Sequence, residues 1–178
     1  WRKLTDEKLG MGAVKSLAAR NGVIVAAARE QWSGRRQVMR KGGVWVSNDA
    51  GKTWRLACPN KFCHAVAFAG NRIIAGMDDH AYHDHYVADG VLMSEDGGKS
   101  WISLNDSGLH NHNITCLAED PFDADVLWTG TGGNSAFVRR LPPEGKEVPK
   151  AKLVMNENQG ATMAANGRLE HTVANDVF

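Results

Sequence analysis

No apolar run in this 178-residue chain approaches the roughly 20 residues that a membrane-spanning helix needs. The first residues also lack the charged, apolar and cleavage regions of a signal peptide. Charge of one sign is not in excess, because 21 Lys and Arg face 20 Asp and Glu, which gives a net charge of +1. A membrane span and a broad attraction to nucleic acid or anionic lipid are therefore not expected.

Cysteine is scarce, with three in the chain. Cys58 and Cys63 could close a short disulfide in an exported protein, or all three could be free thiols. Cys116 lies in an apolar strand pattern, which predicts a buried side chain.

With 43% hydrophobic and 23% charged residues, the composition is that of a globular protein with a buried core.

Two copies of one motif occur, SNDAGKTWRL at 47–56 and SEDGGKSWISL at 94–104, and their tryptophans are 47 residues apart. Each copy follows a Gly-led strand pattern with period-2 alternation, GGVWVS or DGVLMS. Two further strand patterns precede each of these, VKSLAAR and GVIVAAA in the first copy and HAVAFAG and RIIAGM in the second. Each unit is therefore predicted to hold four strands, and a third unit begins with ITCLAED and VLWTGT.

The opening WRKLT matches the last strand of a unit, so the chain is expected to begin inside a unit. Near the C-terminus, Asn166 and Gly167 predict the turn of a further hairpin. We expect one domain over 1–178, divided into an outer strand at 1–5, full units at 6–57 and 58–104, a degenerate unit at 105–155 and the start of a further unit at 156–178.

The repeated turn has a structural chemistry of its own. A short Asp side chain can accept hydrogen bonds from backbone N–H groups inside its turn, and Gly supplies the positive φ of the reversal. The Trp ring is an apolar anchor across the hairpin. We interpret these residues as fold-specifying instead of catalytic: Ser47, Asp49, Gly51, Trp54, Ser94, Asp96, Gly98 and Trp101.

These two motifs, together with ITCLAEDPFDADVLWTGTGG, resemble the Asp-box, or bacterial neuraminidase repeat, superfamily of β-propellers. The resemblance covers about residues 1–141 and implies an all-β propeller of four-stranded antiparallel blades with Asp-box hairpins, here a fragment of a larger propeller. A fragment needs the remaining blades or another chain as a partner, because its edges are unpaired. The superfamily includes sialidases, xyloglucan-degrading hydrolases, sortilin-type receptors and photosystem II assembly factors, and it implies a secreted or periplasmic location.

Propeller topology places four unusual loops on the face opposite the Asp-box turns, at 29–41, 58–64, 78–89 and 105–113. Six of the seven histidines fall in these loops. His83 and His85 point the same way in an extended chain, so with nearby carboxylates they are candidate ligands of a divalent metal ion. The alternative is a solvated polar loop whose histidines titrate freely.

The same face could instead recognise a glycan or a protein. Aromatic side chains offer flat apolar faces, and paired arginines can hold a carboxylate or phosphate. The alternative is that Trp32 packs under its own loop and the basic run is a solvated rim. The candidate ligand-binding residues are Trp32, Arg35, Arg36, Tyr82, Tyr86, His110 and His112.

Two functions follow from this face. The first is an extracytoplasmic module that binds a glycan or protein through its His- and Asp-rich loops. The second is a sialidase- or xyloglucanase-like glycoside hydrolase, with Asp78, Asp79 and Asp84 as candidate general acids or bases. The Arg-Ile-Pro signature of sialidases is missing; the nearest string, RRLP at 139–142, follows the repeated motifs instead of preceding them.

Overall fold

The computed structural model describes residues 1–5, 7–33, 38–60, 62–78, 80–82, 85–106, 108–133, 135–143, 145, 162–163 and 169–172. Among these residues there is no α-helix, and none of the chain so described forms a helix able to span a membrane. A single 3-10 turn covers Glu7–Leu9. The strands are β1 Ala13–Arg20, β2 Val23–Arg29, β3 Gln31–Ser33, β4 Val38–Arg40, β5 Gly43–Ser47, β6 Arg55–Cys58, β7 Cys63–Ala69, β8 Arg72–Met77, β9 His80–Tyr82, β10 His85–Ala88, β11 Val91–Ser94, β12 Ile102–Ser103, β13 Ile114–Glu119, β14 Val126–Thr131, β15 Ala136–Arg140, β16 Thr162–Met163 and β17 Leu169–Thr172.

Three antiparallel sheets stack in chain order. The first sheet has the order β1-β2-β5-β6, the second β7-β8-β11-β12 and the third β13-β14-β15. The first strand of the second sheet, β7, lies against β1 on one side and β13 on the other. The predicted all-β fold of four-stranded antiparallel sheets is confirmed, and the described residues form no closed propeller.

Tight turns set the register of each opening hairpin. Between β1 and β2, Asn21 and Gly22 both have positive φ, 50° and 80°, which is the geometry that an Asn-Gly pair favours in two-residue hairpins. Each hairpin then carries a register shift at the same place, between Val14 and Ser16, between Cys63 and Ala65, and between Ile114 and Cys116. These shifts align the three sheets residue by residue.

The core of the described residues comprises two layers between the sheets and a third cluster on the first sheet, formed by Met11, Ala26, Ala28 and Trp45. One layer joins the first sheet to the second, and the other joins the second to the third. A fully buried Val, Ile or Leu contributes about 1.5–3 kcal/mol relative to an exposed one, so these layers hold the sheets together. The first layer is built on Val25, Val44, Val46, Val66, Phe68, Ile73 and Met77, and the second on Ile74, Val91, Met93, Leu104, Ile114, Leu127 and Leu141.

One charged side chain is buried within the second layer. Arg72 is 1% exposed, and its Nε donates to the carbonyl of Ala69 at 3.0 Å. Its Nη1 donates to the Pro142 carbonyl at 2.7 Å, and its Nη2 pairs with Asp125. These partners replace the water that the guanidinium loses, which is why the charge is tolerated there.

Each repeated turn is held by its own side chains. Ser47 Oγ donates to Asp49 Oδ1 at 2.8 Å and accepts from the Gly51 amide at 2.8 Å. Asp49 also accepts from the Thr53 amide at 2.8 Å and from the Thr53 hydroxyl at 2.6 Å. Bonds from Thr53, Ser47 and Lys52 stabilise the carboxylate and lower the pKa of Asp49 to about 2.

The second turn repeats this arrangement. Ser94 Oγ donates to Asp96 Oδ1 at 2.8 Å and accepts from the Gly98 amide at 2.7 Å. The Ser100 hydroxyl and amide bond to Asp96 at 2.6 and 2.9 Å and hold the pKa of this carboxyl well below its usual range. Both turns are thus closed by the same serine, aspartate and hydroxyl contacts.

The cysteines differ in part from expectation. All three are free thiols, so no bond joins Cys58 to Cys63, and burial raises the pKa of the Cys63 thiol. The predicted burial of Cys116 is wrong, since this side chain is exposed. It points to the far face of the third sheet, where the structure places no further sheet among the described residues.

The sequence predicts an outer strand at 1–5 and a further hairpin in the C-terminal segment. Residues 1–5 lie outside the strands, with Leu4 close to Gly51 of the first repeated turn. Strand β17 pairs with β10, and β16-β17-β10-β9 form a small sheet. The predicted turn at Asn166 and Gly167 lies outside the described residues, although β16 and β17 on either side of it pair as an antiparallel hairpin.

Candidate functional site

The two ends of the sheets have different contents. Because neighbouring strands run in opposite directions, the repeated turns and the β1–β2 turn share one end, and the Ala50 amide donates to the Gly22 carbonyl at 3.1 Å there. The long loops leave the other end, which we call the loop end. Hairpins form within two of these loops, β3 with β4 and β9 with β10.

Three charged or titratable side chains meet at the loop end. Arg29 closes β2, and its Nη1 lies 2.9 Å from Asp78 Oδ2. His64 Nδ1, near the start of β7, lies 3.3 Å from the same oxygen. Asp78 is largely buried, whereas Arg29 and His64 are each about one-third exposed by side chain. We call these residues the Arg29–His64–Asp78 cluster.

Backbone contacts at Phe62 hold the cluster in place. The Asp78 amide donates to the Phe62 carbonyl at 2.8 Å, and Arg29 forms an antiparallel bridge with Phe62. The Arg29 guanidinium also stands 5.8 Å from the centroid of the Phe62 ring, within the range of a cation–π contact. The first and second sheets are therefore joined at this point, and Arg29 is oriented from two sides.

A second group of polar side chains lies at the loop end, beside the Arg29–His64–Asp78 cluster. Asn60 Nδ2 donates to Asp89, and Asn60 Oδ1 accepts from the Phe62 amide at 3.0 Å. Asn105 Nδ2 donates to the Asp89 carbonyl at 2.8 Å, while its Oδ1 accepts from the Val91 amide at 2.9 Å. Amide side chains thus fix the backbone of the loop that carries the predicted site.

The predicted site residues fall into three groups. The first group is Asp78 alone, which lies in the Arg29–His64–Asp78 cluster. Strands β9 and β10 place Tyr82, His85 and Tyr86 in the loop hairpin, and β3 contains Trp32. Outside the described residues lie Arg35, Arg36, Asp79, His83 and Asp84.

The two remaining histidines belong to the loop before β13. His110 contacts Phe137 edge-on, with the ring centroids 6.3 Å apart. His112 is buried. In the described parts of the chain no group of three His, Cys, Asp or Glu side chains is placed to hold a metal ion. The metal hypothesis at His83 and His85 stays a prediction.

Arg29 and Asn60 were not singled out from the sequence. The sequence gives only a weak indication of either residue, because an Arg at the end of a strand and an Asn beside a Pro are both common where strands pass into loops. Their partners, Asp78 and Asp89, are 49 and 29 residues away, and such pairings depend on how the sheets stack. Arg29 and Asp78 both lie at the end of the second strand of their unit. This shared position is the pattern from which the pair could have been predicted.

Chemically, the cluster offers a fixed guanidinium and an imidazole beside a charge-paired carboxylate. A guanidinium is suited to carboxylates, sulfates and hydroxyl groups, and it donates in a fixed fork. The imidazole can donate or accept. Such an arrangement favours recognition of a polar, planar or anionic group.

No protein-family model matches the chain, and no curated protein is significantly similar to it. Among solved structures, it is similar to the GH74 xyloglucanase from Xanthomonas campestris, with 15% identity and a TM-score of 0.46 over 78% of this chain and 25% of that chain. It is also similar to an ancestral GH74 enzyme, with 16% identity and a TM-score of 0.41 over 67% of this chain and 22% of that chain.

A third similar structure is the computationally designed Ika4 protein, with 12% identity and a TM-score of 0.33 over 74% of this chain and 92% of that chain. The GH74 xyloglucanases are β-propellers. The chain spans a quarter or less of the length of the two GH74 enzymes.

Proposed function

We propose that the chain is part of an Asp-box β-propeller and acts as an extracytoplasmic binding module for a glycan or protein through its loop end. The observation that carries the proposal is the Arg29–His64–Asp78 cluster, in which a partly exposed guanidinium is held against Asp78 and the Phe62 ring. A pre-oriented Arg loses little conformational entropy on binding, which favours recognition at this point.

Contacts around Asp78 favour binding over hydrolysis. A glycoside hydrolase needs two carboxyl groups facing each other at about 5–5.5 Å or about 6.5–9.5 Å, one of them held protonated. Asp78 is instead engaged by Arg29 and His64. The alternative is hydrolysis with Asp78, Asp79 and Asp84 as candidate general acids or bases.

Titration against a panel of xyloglucan and sialylated oligosaccharides, followed by calorimetry, tests the binding proposal. Arg29→Ala is expected to weaken the affinity for the recognised glycan at least about tenfold, equivalent to about 1.4 kcal/mol. Lys52→Ala is the matched control, because this exposed Lys lies on a repeated turn at the opposite end. Equal binding by both variants, or no binding of any glycan, would contradict glycan recognition at this site.

The hydrolase alternative has its own measurement. We expect no turnover of the same oligosaccharides by the wild-type chain, measured by release of reducing ends. Turnover that disappears in Asp78→Asn, Asp79→Asn or Asp84→Asn would replace the binding proposal with catalysis. These variants change a carboxylate to an amide of the same shape, so loss of folding is not expected to confuse the result.

A further inference from the structure

The opening hairpin of each sheet carries one extra residue at the loop end. The register shifts fall on Lys15 in β1, His64 in β7 and Thr115 in β13, so these three residues have equivalent places in the three sheets. A β-bulge turns the extra side chain out of the regular alternation of the strand, and bulges are frequent beside functional sites. The three residues form one row across the loop end, which we call the bulge row.

Each side chain of the bulge row lies on the same face of its sheet as the residue that follows it. A Cβ built on Gly130 would stand 3.6 Å from Thr115 Oγ1 and 2.5 Å from Cys116 Sγ, so these two side chains share a face. In the first sheet the equivalent of Cys116 is Ser16, whose Oγ bonds to the backbone of β7. Lys15 therefore lies on the face of the first sheet that meets the second.

In the second sheet the bulge row meets the end of the second strand, because His64 Nδ1 lies 3.3 Å from Asp78 Oδ2. The equivalent residues of the first sheet are Lys15 and Arg29, two cations that cannot form such a pair. Arg29 pairs with Asp78 of the neighbouring sheet instead, at 2.9 Å. Lys15 is exposed, and in the described part of the chain no carboxylate pairs with its ammonium group.

Positive charge is consequently in excess where the first two sheets meet. Lys15 and Arg29 carry two positive charges, and Asp78 neutralises one of them. Arg29 and His64 are both partly exposed, and a protonated imidazole donates from both of its nitrogens. An oxyanion between Lys15, Arg29 and His64 would balance the remaining charge and accept charge-assisted hydrogen bonds.

Along the sheets the bulge row changes from charged to neutral. Thr115 is exposed, and it presents a hydroxyl group where Lys15 presents a cation. Packed sheets lie about 10 Å apart, so the row spans about 20 Å. A sugar chain with acidic and hydroxyl groups matches a row that is cationic at one end and neutral at the other, whereas an acidic peptide would meet no cation at Thr115.

We propose that the ligand of the loop end is an acidic polysaccharide, bound along the bulge row with a carboxylate or sulfate group held by Lys15, Arg29 and His64. Thr115 contacts a hydroxyl group of a neighbouring sugar unit. This assignment rests on the proposed function, in which the loop end is the binding site, and adds the charge and the length of the ligand.

Calorimetric titration with matched oligosaccharides tests the charge of the ligand. The probes are an oligogalacturonate, its methyl ester, a sulfated oligosaccharide of the same length and a neutral xyloglucan oligosaccharide. We expect one of the two charged probes to bind at least about tenfold more tightly than the ester and the xyloglucan, and the tighter of the two identifies carboxylate or sulfate. Equal affinity of charged and neutral probes, or tighter binding of an oligoglutamate peptide, would overturn the proposal.

Lys15→Ala tests the site itself. The affinity for the preferred acidic oligosaccharide is expected to fall about tenfold while that for the methyl ester is unchanged, and Lys15→Arg should restore it. Lys99→Ala is the matched control, because Lys99 is an exposed Lys of the second repeated turn, at the opposite end of the sheets. No loss in Lys15→Ala, or an equal loss in Lys99→Ala, would contradict an oxyanion site at this place.

Thr115→Val tests the length of the site, because it removes the hydroxyl group and keeps the shape of the side chain. The affinity for an acidic hexamer is expected to fall roughly threefold, the effect of one lost hydrogen bond, whereas a dimer bound at Lys15 and Arg29 should keep its affinity. The same effect on both lengths would contradict binding along the bulge row.

The binding data separate this ligand class from the proposed function as a whole. Neutral glycans that bind as tightly as acidic ones, and that lose affinity in Arg29→Ala, would retain glycan recognition at the loop end and exclude the acidic ligand. Absence of binding by every glycan would exclude both.

Discussion

Asp49 shows how one carboxylate can stabilise a turn by local contacts. Its two oxygens accept bonds from Ser47 and from the backbone and hydroxyl of Thr53. These bonds favour the ionised form, which lowers the pKa of Asp49 from 3.8 to about 2. Because the folded-state pKa is below that of the unfolded chain, this contribution to stability is complete above about pH 4 and is lost as the pH falls toward 2.

We therefore expect Asp49→Asn to lower the melting temperature by several degrees at neutral pH, and the difference from wild type to shrink between about pH 4 and pH 2. Thermal unfolding followed by circular dichroism over a pH series measures both effects. Glu95→Gln, an exposed position in the second repeated turn, is the control and is expected to leave the melting temperature unchanged. A difference that stays constant with pH would contradict the role of the ionised carboxylate.

The sequence predicts the contacts of some single residues and not of others. The contacts of Ser47 and Asp49 lie within a few residues, so the chemistry of the turn could be inferred from the motif itself. The exposure of Cys116 could not be inferred, because the pattern of an apolar strand does not indicate whether other sheets cover both faces of its sheet. Arg29 and Asp78 meet only through the stacking of two sheets.

Between elements, Gly76 allows β8 and β13 to approach closely. A Cβ built on Gly76 would stand 2.4 Å from Ile114 Cγ2 and 2.9 Å from Ile114 Cβ. Ile114 is fully buried between the second and third sheets. Any side chain at position 76 must therefore push the two sheets apart.

Gly76→Ala is expected to destabilise the fold by about 1–3 kcal/mol, the range for overpacked cores. Urea unfolding measures the loss, with Gly108→Ala as the control, because a Cβ there meets only the end of one side chain, Asp106 Oδ1 at 3.2 Å, which has to move by a few tenths of an ångström. Adding Ile114→Ala should cost less than the sum of the two single changes, since the clash is removed. Simple additivity would show that the two positions do not compete for space.

The strands themselves were predicted well where their pattern is local. The inner hairpins β1–β2, β7–β8 and β13–β14 begin and end within two residues of the alternating runs VKSLAAR, GVIVAAA, HAVAFAG, RIIAGM, ITCLAED and VLWTGT. The hairpins β3–β4 and β9–β10 inside the loops were not predicted, because their short pairs depend on the flanking strands for support. The long-range pairing of β10 with β17 could likewise not be predicted from the sequence.

Across the whole molecule, Glu119 joins all three sheets at the end opposite the site. Its Oε1 accepts from the Gly70 amide at 2.8 Å and from Arg20 Nη1 at 3.0 Å. Arg20 ends β1 of the first sheet, Gly70 lies in the turn between β7 and β8 of the second, and Glu119 ends β13 of the third. A carboxylate shared in this way couples the unfolding of one sheet to that of the others.

Glu119→Ala is expected to lower the unfolding free energy by about 1–3 kcal/mol, because the Gly70 amide is left without its acceptor. The urea dependence should also become shallower, as the sheets separate over a wider range of denaturant. Arg140→Ala, which removes an exposed ion pair with Asp123, is the control and should leave both quantities unchanged. An unchanged slope in Glu119→Ala would show that the layers alone keep the sheets coupled.

The internal bonding of the repeated turns has a consequence for how such a chain can change over generations. Ser47, Asp49 and Thr53 satisfy one another over seven residues, far from the loops at the other end of the sheet. Mutation and insertion in those loops can therefore accumulate without disturbing the elements that close each hairpin. The same division makes the molecule a natural scaffold for libraries, with the loops around Arg29 and Asp78 as the variable part and the serine–aspartate turns as the invariant part.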